Sequence, residues 1–380
     1  METTAKNRKK FAFLVHPRAD VREDLGNILK PLGLIPNRVY NSALKHLPLP
    51  AFNIGEVSFA DRPNETAGYI IMVPQGARAM LEQGRSKVMP KIEAAVNKAV
   101  ELGAEIVGLG ALTATVAKGG TLLKNRKDIA VTNGNAYTAW MTFEGIKRLM
   151  NEFPTHNPTI AFVGATGSVG SSVVELVAES DLTVNMTLVA RDMPRLHALA
   201  DKVHRTDAWT NVKVSNSIDS VKDADLVVLM TSSADCLLKS EHLKPGAIVL
   251  DDTQPRNTDP NLIVERPDVL IVDGGLVAVP GVEINAHIGL PRGHAYACLA
   301  ETMLLALNGH EGHFSLGNPT RDQVDTIANT ARRFRHLGFE LASLRSFNNL
   351  IDPVEVATTR KIKPIRKIVG RQIPQPAFGF

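Results

Sequence analysis

At 380 residues the chain is long enough for two domains that each bury a core. With 44% hydrophobic and 22% charged residues its composition is that of a soluble globular protein, and it excludes a low-complexity or disordered chain. No apolar run is long enough to cross a bilayer, and the polar, basic start METTAKNRKKFAF does not read as a secretory signal. Two cysteines, Cys236 and Cys298, cannot build a disulfide framework and suit a reducing cytoplasm. The net charge of +4 says little by itself. Its distribution says more: Arg360, Lys361, Lys363, Arg366, Lys367 and Arg371 close the chain with no acidic residue among them. Without these six, the 43 basic residues fall to 37, against 39 acidic. The tail reads either as a solvated end or as a contact for an acidic partner or an anionic membrane surface. The expected location is therefore cytoplasmic, with peripheral membrane contact as an option. Nucleic acid is a poor fit, because no recognised binding module is present.

In chain order, Phe11–Val15 reads as a short buried strand and Gly68–Val73 as another. The Pro-rich text between them, KHLPLPAFNIGEVSFADRPNE, reads as irregular connections and edge structure. Ala77–Leu102 has a helical pattern, with Met80, Leu81, Val88, Ile92, Ala95, Val96 and Val100 near one face. Strands follow at Ile106–Leu109 and Ile129–Val131, then a helix from Thr138 to Met150. This alternation predicts an α/β domain over residues 1–150. The polar connector 151–158 (NEFPTHNP) is the expected boundary. A second α/β run has strands at Thr159–Val163, Thr187–Val189, Asp225–Met230, Ala247–Leu250 and Val269–Val272. Residues 296–345, with helices at Tyr296–Leu307 and Arg321–Leu337, are expected to return to the first domain. Residues 346–380 form a C-terminal extension.

The strongest chemical signal is GATGSVG at Gly164–Gly170, between the apolar strand TIAFV and the helix SSVVELVAES. Pyrophosphate binding needs this strand, tight loop and helix in that order. Gly164 permits the turn, Gly167 keeps side chains away from the phosphates, and Gly170 lets the helix pack on the strand. Thr166, Ser168 and Val169 complete the loop, and the helix N-terminus offers N–H groups to an anion. The fold class that follows is α/β with two domains: a C-terminal Rossmann-type parallel sheet at 151–295 and a smaller N-terminal α/β substrate domain. The end of the second strand selects the cofactor, since NAD needs a carboxylate there and NADP a cation. The text LVARDMPRL places Arg191 at that point and Arg195 one helical turn later, which favours NADPH. Asp192 keeps NAD open. By fold logic, Thr231 and Ser232 after DLVVLM, and Gly274 and Gly275 after VLIV, line the same crevice.

A cofactor site does not name a substrate. No Y-x-x-x-K pair and no P-x-K of the shikimate type is found. Cys298 falls in the first turns of an expected helix, in RGHAYACLAETMLLAL, where a helix N-terminus favours thiolate and exposes sulfur. His294, four residues earlier, would share its face if the helix reached so far. Taken alone, a cysteine in an apolar helix also reads as packing.

The ordered set LVH (14–16), GLGALT (108–113), GNAYTAW (134–140), VGATGSVG (163–170), VARDMPRL (189–196), DGGLV (273–277) and ACLAETMLLALNGHEGHFSLG resembles the cyanobacterial long-chain acyl-[acyl-carrier-protein] reductases over residues 11–340. The resemblance implies NADPH as cofactor, a fatty aldehyde as product, and Cys298 as the nucleophile that accepts the acyl group. It implies an acyl-carrier protein or coenzyme A thioester as the acyl partner and an enzyme that consumes the aldehyde as a further one. His16 matches a family histidine and would serve as acid/base or substrate contact. Asn135, Thr138 and the backbone N–H groups of the GNAYT turn are expected donors to an oxyanion. His294 and the basic tail depart from the family. Two alternatives stay open: a dehydrogenase of a small amino or hydroxy acid, and a non-catalytic NADP-binding regulator. No metal is expected.

Overall fold

The computed structural model describes residues 8–17, 31, 34, 39–40, 49–232, 236–354 and 356. The basic residues from Arg360 on lie outside the described residues, as does Ser233. Among the described residues two compact units are present: the first holds those up to Thr138 and Val277–Glu340, and the second holds Ala139–Leu276 and those of 341–356. The division falls inside a helix rather than at the 151–158 connector. Asn135–Glu152 contains no proline, so nothing breaks it where the units part.

The first stretch carries strands β1 (Phe11–Val15), β2 (Phe52–Phe59), β3 (Gly68–Met72), β4 (Ile106–Leu109) and β5 (Ala130–Thr132). Its helices are α1 (Ala77–Glu82), α2 (Arg85–Glu101), α3 (Leu112–Val116) and the start of α4 (Asn135–Glu152). The second unit adds β6 (Thr159–Val163), α5 (Ser168–Ala178), β7 (Asn185–Val189), α6 (Met193–Thr206), β8 (Val212–Ser215), β9 (Leu226–Leu229), β10 (Ile248–Asp251), α7 (Leu262–Glu265) and β11 (Leu270–Asp273). The chain returns through β12 (Leu276–Ala278), β13 (Val282–Ile284), β14 (His294–Tyr296), α8 (Ala297–Leu307) and α9 (Arg321–Arg333).

In the first unit the sheet runs β13-β2-β3-β1-β4-β5. The strands β3, β1, β4 and β5 are mutually parallel, while β2 and β13 pair antiparallel. Parallel strands buried on both faces read as continuous apolar runs, which is why FAFLV and IVGL were legible. One face packs on α2 through Val88, Ile92 and Val96. On the other face α8 lies hard against β4: a Cβ on Gly108 would fall 2.0 Å from Thr302 Oγ1. Two expectations fail here. The Pro-rich text contains the eight-residue strand β2, missed because only Val57 and Phe59 are buried and a bulge at Asn53/Gly55 breaks the alternation. The single helix expected over Ala77–Leu102 is two, parted at Gly84, which has φ +78°.

The second unit is a six-stranded sheet, β11-β10-β9-β6-β7-β8, parallel throughout. Counted within the unit this is the doubly wound 3-2-1-4-5-6 order, whose reversal lies between β6 and β9. Strand β8 escaped the sequence reading because it is short, partly exposed and carries a lysine.

Candidate functional site

The glycine loop between β6 and α5 is shaped for an anion. Gly164 has φ +85° and runs so close to the loop after β9 that a Cβ there would lie 2.7 Å from Met230 O. A Cβ on Gly170 would lie 2.3 Å from Gly164 O, so α5 can seat on the loop only with glycine at that position. Gly167 is the helix N-cap, with no side-chain cap and no acidic residue in the first turn. The first backbone N–H groups of α5 lie at the positive end of its dipole. Gly167, Ser168 and Val169 are half-exposed, so this end faces outward. A dinucleotide pyrophosphate fits such an end. Thr231, two residues past β9, lies beside Gly164, and Ser232 follows it.

At the end of β7 the two cations and the carboxylate have separate tasks. Arg191 is exposed. Asp192 is the N-cap of α6, its Oδ1 accepting the Arg195 N–H at 3.1 Å. The Arg195 guanidinium turns back to the glycine loop and donates to Thr166 O at 2.6 Å. The carboxylate that kept NAD open is therefore engaged in capping a helix, while a guanidinium lies beside the phosphate loop.

At the carboxyl ends of β10 and β11, the turn Asp273-Gly274-Gly275 folds over Asp252. A Cβ on Gly274 would meet Asp252 Cβ at 2.9 Å, and one on Gly275 would meet Asp252 Oδ1 at 2.1 Å. These glycines thus make room for a neighbouring carboxyl. Thr142 Oγ1 donates to Asp252 Oδ2. Burial pushes the Asp252 carboxyl up to about 7, with the Asp251 charge adding to the rise and the Thr142 hydroxyl opposing it.

The first unit holds the cysteine. Tyr296 is the N-cap of α8, so Cys298 is the second helical residue, and it is half-buried. Gly134, at φ +77°, lies flat against it: a Cβ on Gly134 would fall 2.2 Å from Cys298 Cβ. The N-termini of α4 and α8 therefore meet at the Cys298 backbone and Cβ. One turn along α8, the buried Glu301 reaches under the start of α4. Its Oε1 accepts from Thr132 Oγ1, and its Oε2 accepts the Tyr137 N–H at 2.7 Å. Gly134 and Ala136 N–H groups also hold this carboxyl. Burial nevertheless pushes it up to about 7, the hydrogen bonds opposing that rise.

Three expectations change in this unit. His294 does not share a helix face with Cys298: it lies in strand β14, ahead of the N-cap, and its Nδ1 meets Arg292 O at 3.0 Å. His16 has both ring nitrogens on the backbone. Its Nε2 accepts from Leu112 N at 3.4 Å and its Nδ1 meets Pro17 O at 2.9 Å, which ties the end of β1 to α3. The Thr138 hydroxyl and backbone donors of the GNAYT turn are committed as well. Thr138 Oγ1 donates to Gly134 O, Asn135 N donates to Asn133 Oδ1, and the Tyr137 N–H goes to Glu301. Sequence reasoning passed over Glu301, although it stands inside the A-C-x-A-E segment, and over Asp252, one residue past a strand end. A carboxyl flanked by apolar helix text or closing a buried strand was the available signal for each.

Among the described residues no cluster of His, Cys, Asp and Glu could hold a metal ion, and no helix is long and apolar enough to cross a membrane.

Residues 144–273 match the family model of shikimate / quinate 5-dehydrogenase. Aminotransferase PigE of Serratia sp. is 23% identical over 368 residues, which cover 93% of this chain and 42% of that protein. The chain thus spans about two fifths of that relative's length. The long-chain acyl-[acyl-carrier-protein] reductase of Synechococcus elongatus is 25% identical over 249 residues, 62% of this chain and 70% of that one. Quinate dehydrogenase from Corynebacterium glutamicum, solved in complex with NAD, is 13% identical and covers 64% of this chain and 80% of its own, with a TM-score of 0.32. With the strand order and the glycine loop, the family match makes the second unit a Rossmann domain of the NAD(P)-dependent oxidoreductase type.

Proposed function

We propose that the chain is an NADPH-dependent reductase of acyl thioesters that forms an aldehyde through an acyl group carried on Cys298. The observation that carries this reading is the placement of Cys298 in the first turn of α8, where a second helix N-terminus abuts it. A position in the first turn of a helix favours an anionic sulfur. The similarity to the acyl-[acyl-carrier-protein] reductase agrees with it. NADPH over NADH is supported by the cations Arg191 and Arg195 at the end of β7, the second beside the glycine loop, and by the capping role of Asp192.

The chemistry divides one difficult displacement into two easier ones. The Cys298 sulfur forms a bond to the acyl carbon, and the bond to the carrier sulfur breaks, releasing the carrier thiol. Bound NADPH supplies the hydride. The thioester carbon on Cys298 gains that hydride, its oxygen takes a proton, and the thiohemiacetal collapses to aldehyde and free Cys298. His16 keeps the acid/base or substrate-contact role in this reading, and Asn135 and Thr138 follow Gly134, the residue that abuts Cys298. The acyl partner is a carrier protein or coenzyme A, an aldehyde-consuming enzyme would follow, and the basic tail is the docking element for the acidic carrier or an anionic membrane.

The family match over 144–273 favours one competitor, a dehydrogenase of a small amino or hydroxy acid. An NADPH-oxidation assay across acyl-carrier and coenzyme A thioesters and small acids, with products identified by mass, separates the two. Aldehyde from a thioester supports the first reading. Turnover confined to soluble acids overturns it.

A further inference from the structure

The carboxyl end of the second unit's sheet holds a group that the proposed reaction has not yet used. Asp252 follows β10 directly. Protein surrounds it, yet the residue keeps accessible surface at this edge. Three segments fix its side chain. Its own strand end is tied by Asp252 N to Leu229 O at 3.0 Å. From α4, Thr142 Oγ1 donates to Oδ2 at 2.5 Å. From the turn after β11, Gly275 at φ +62° leaves to Oδ1 the space a side chain would fill. Its neighbour Asp251 has a different task. That buried carboxyl accepts the N–H groups of Thr253, Asn257 and Thr258 and the hydroxyls of Thr253 and Thr258, closing the loop 251–258. Asp252 closes no such loop.

Its position bears on chemistry. In doubly wound sheets ligands bind outside the carboxyl ends of the strands, at the point where strand order reverses. Here the reversal separates β6 from β9, and β10 is the next strand. A carbonyl that receives a hydride develops negative charge on oxygen and needs a proton donor within reach.

We propose that Asp252 is the proton donor to the carbonyl oxygen of the substrate reduced on this unit, with Thr142 as the residue that positions it. This rests on the second unit being an NAD(P)-dependent reductase and not on Cys298. As the carbonyl carbon gains the hydride from the reduced nicotinamide, the π pair moves to oxygen, which takes the proton from Asp252 Oδ1. With Thr142 donating to Oδ2, Oδ1 is the oxygen that carries the proton in the neutral acid. For an acyl thioester, the thiohemiacetal hydroxyl loses its proton as the carbon–sulfur bond breaks, the departing thiolate takes that proton up, and water reprotonates the carboxylate. For an ordinary ketone the carboxylate is reprotonated by water. Burial and the adjacent Asp251 keep the neutral form present close to pH 7. Asp251 is the charged group acting on Asp252, and Thr142 is the polar one.

The test has one arm that needs no substrate. Infrared difference spectra of the cofactor-free full chain between about pH 5.5 and about pH 8.5 should show two carboxylic acids that titrate near 7, Asp252 and Glu301, of which Asp252→Asn removes one. Thr142→Val should move the Asp252 titration to higher pH, because its hydroxyl holds the charged form. The second arm is single-turnover NADPH oxidation with a palmitoyl thioester or, if the substrate panel selects one, a soluble acid. Asp252→Asn should slow hydride transfer by about 100-fold and abolish its fall above neutral pH, with NADPH affinity unchanged. Thr142→Val keeps the carboxyl, so it carries the test if Asp252→Asn does not fold. An infrared spectrum in which Asp252→Asn matches wild type overturns the proposal, as does an unchanged pH limb. Absence of turnover on thioesters refutes the acyl reading and leaves the infrared arm to decide the role of Asp252.

Discussion

Replacing Glu301 by glutamine should remove a pH dependence of stability. Glu301 is buried and raised from its ordinary 4.5 to about 7, so the folded protein holds this proton more tightly than the unfolded chain. The stability it contributes is full below about 4.5 and is lost as pH rises through about 7. The rise corresponds to roughly 3 kcal/mol. In Glu301→Gln the amide oxygen can accept the Tyr137 N–H while the amide nitrogen donates to Thr132 Oγ1, whose hydroxyl turns to accept. At pH 5 the variant should therefore lie within about 1 kcal/mol of wild type. By pH 8 it should have gained roughly 3 kcal/mol relative to it. Urea unfolding of both proteins at intervals from pH 5 to 8, followed by circular dichroism, measures the difference, and other titrating groups cancel in the comparison. A difference that stays constant over this range would refute a raised, proton-bearing Glu301. Glu301→Ala is a different perturbation: it leaves the donors at the start of α4 unmet and should cost about 4 kcal/mol at pH 5, a cost that shrinks by the same roughly 3 kcal/mol toward pH 8 as wild type loses its own stabilisation.

Gly134→Ala would place a Cβ 2.2 Å from that of Cys298 in a φ +77° backbone, and should cost the first unit at least about 2 kcal/mol by urea unfolding. Arg191→Ala should weaken NADPH about 10-fold or more in a fluorescence titration while leaving NADH within about twofold, since only the phosphorylated ribose needs the guanidinium. Equal losses for both cofactors would remove the basis for the NADPH preference. Deleting residues from Arg360 on should raise KM for a carrier-bound acyl group at low salt, and the effect should fade as salt rises. An unchanged KM would count against the docking role of the tail.

The second unit was largely legible in the sequence because its elements answer to local rules. TIAFV, DLVVLM and VLIV are apolar runs bounded by glycine or polar turns, and GATGSVG needs its glycines for contacts a few residues away. What escaped depends on partners distant in the chain. Strand β2 makes its face only with β3 and β13. Glu301 has meaning only once Thr132 and Tyr137 are brought to it, and Asp252 only once Thr142 and Gly275 are. The histidines illustrate the converse. His16 and His294 looked reactive as residue types, yet the structure gives each a backbone carbonyl partner. Cys298 was found from its position at a helix start, but the abutting Gly134, which gives that position a second helix N-terminus, was not visible in the local text.

The central claim is that Cys298 carries the acyl group. Full-length protein mixed with palmitoyl coenzyme A or a palmitoyl carrier protein, in the absence of NADPH, can be weighed intact by mass spectrometry. One added acyl mass is expected on wild type, located on Cys298 by peptide mapping and discharged as aldehyde when NADPH is added, and none on Cys298→Ala. Acylation of Cys298→Ala to the wild-type extent, or aldehyde production by that variant, would contradict it.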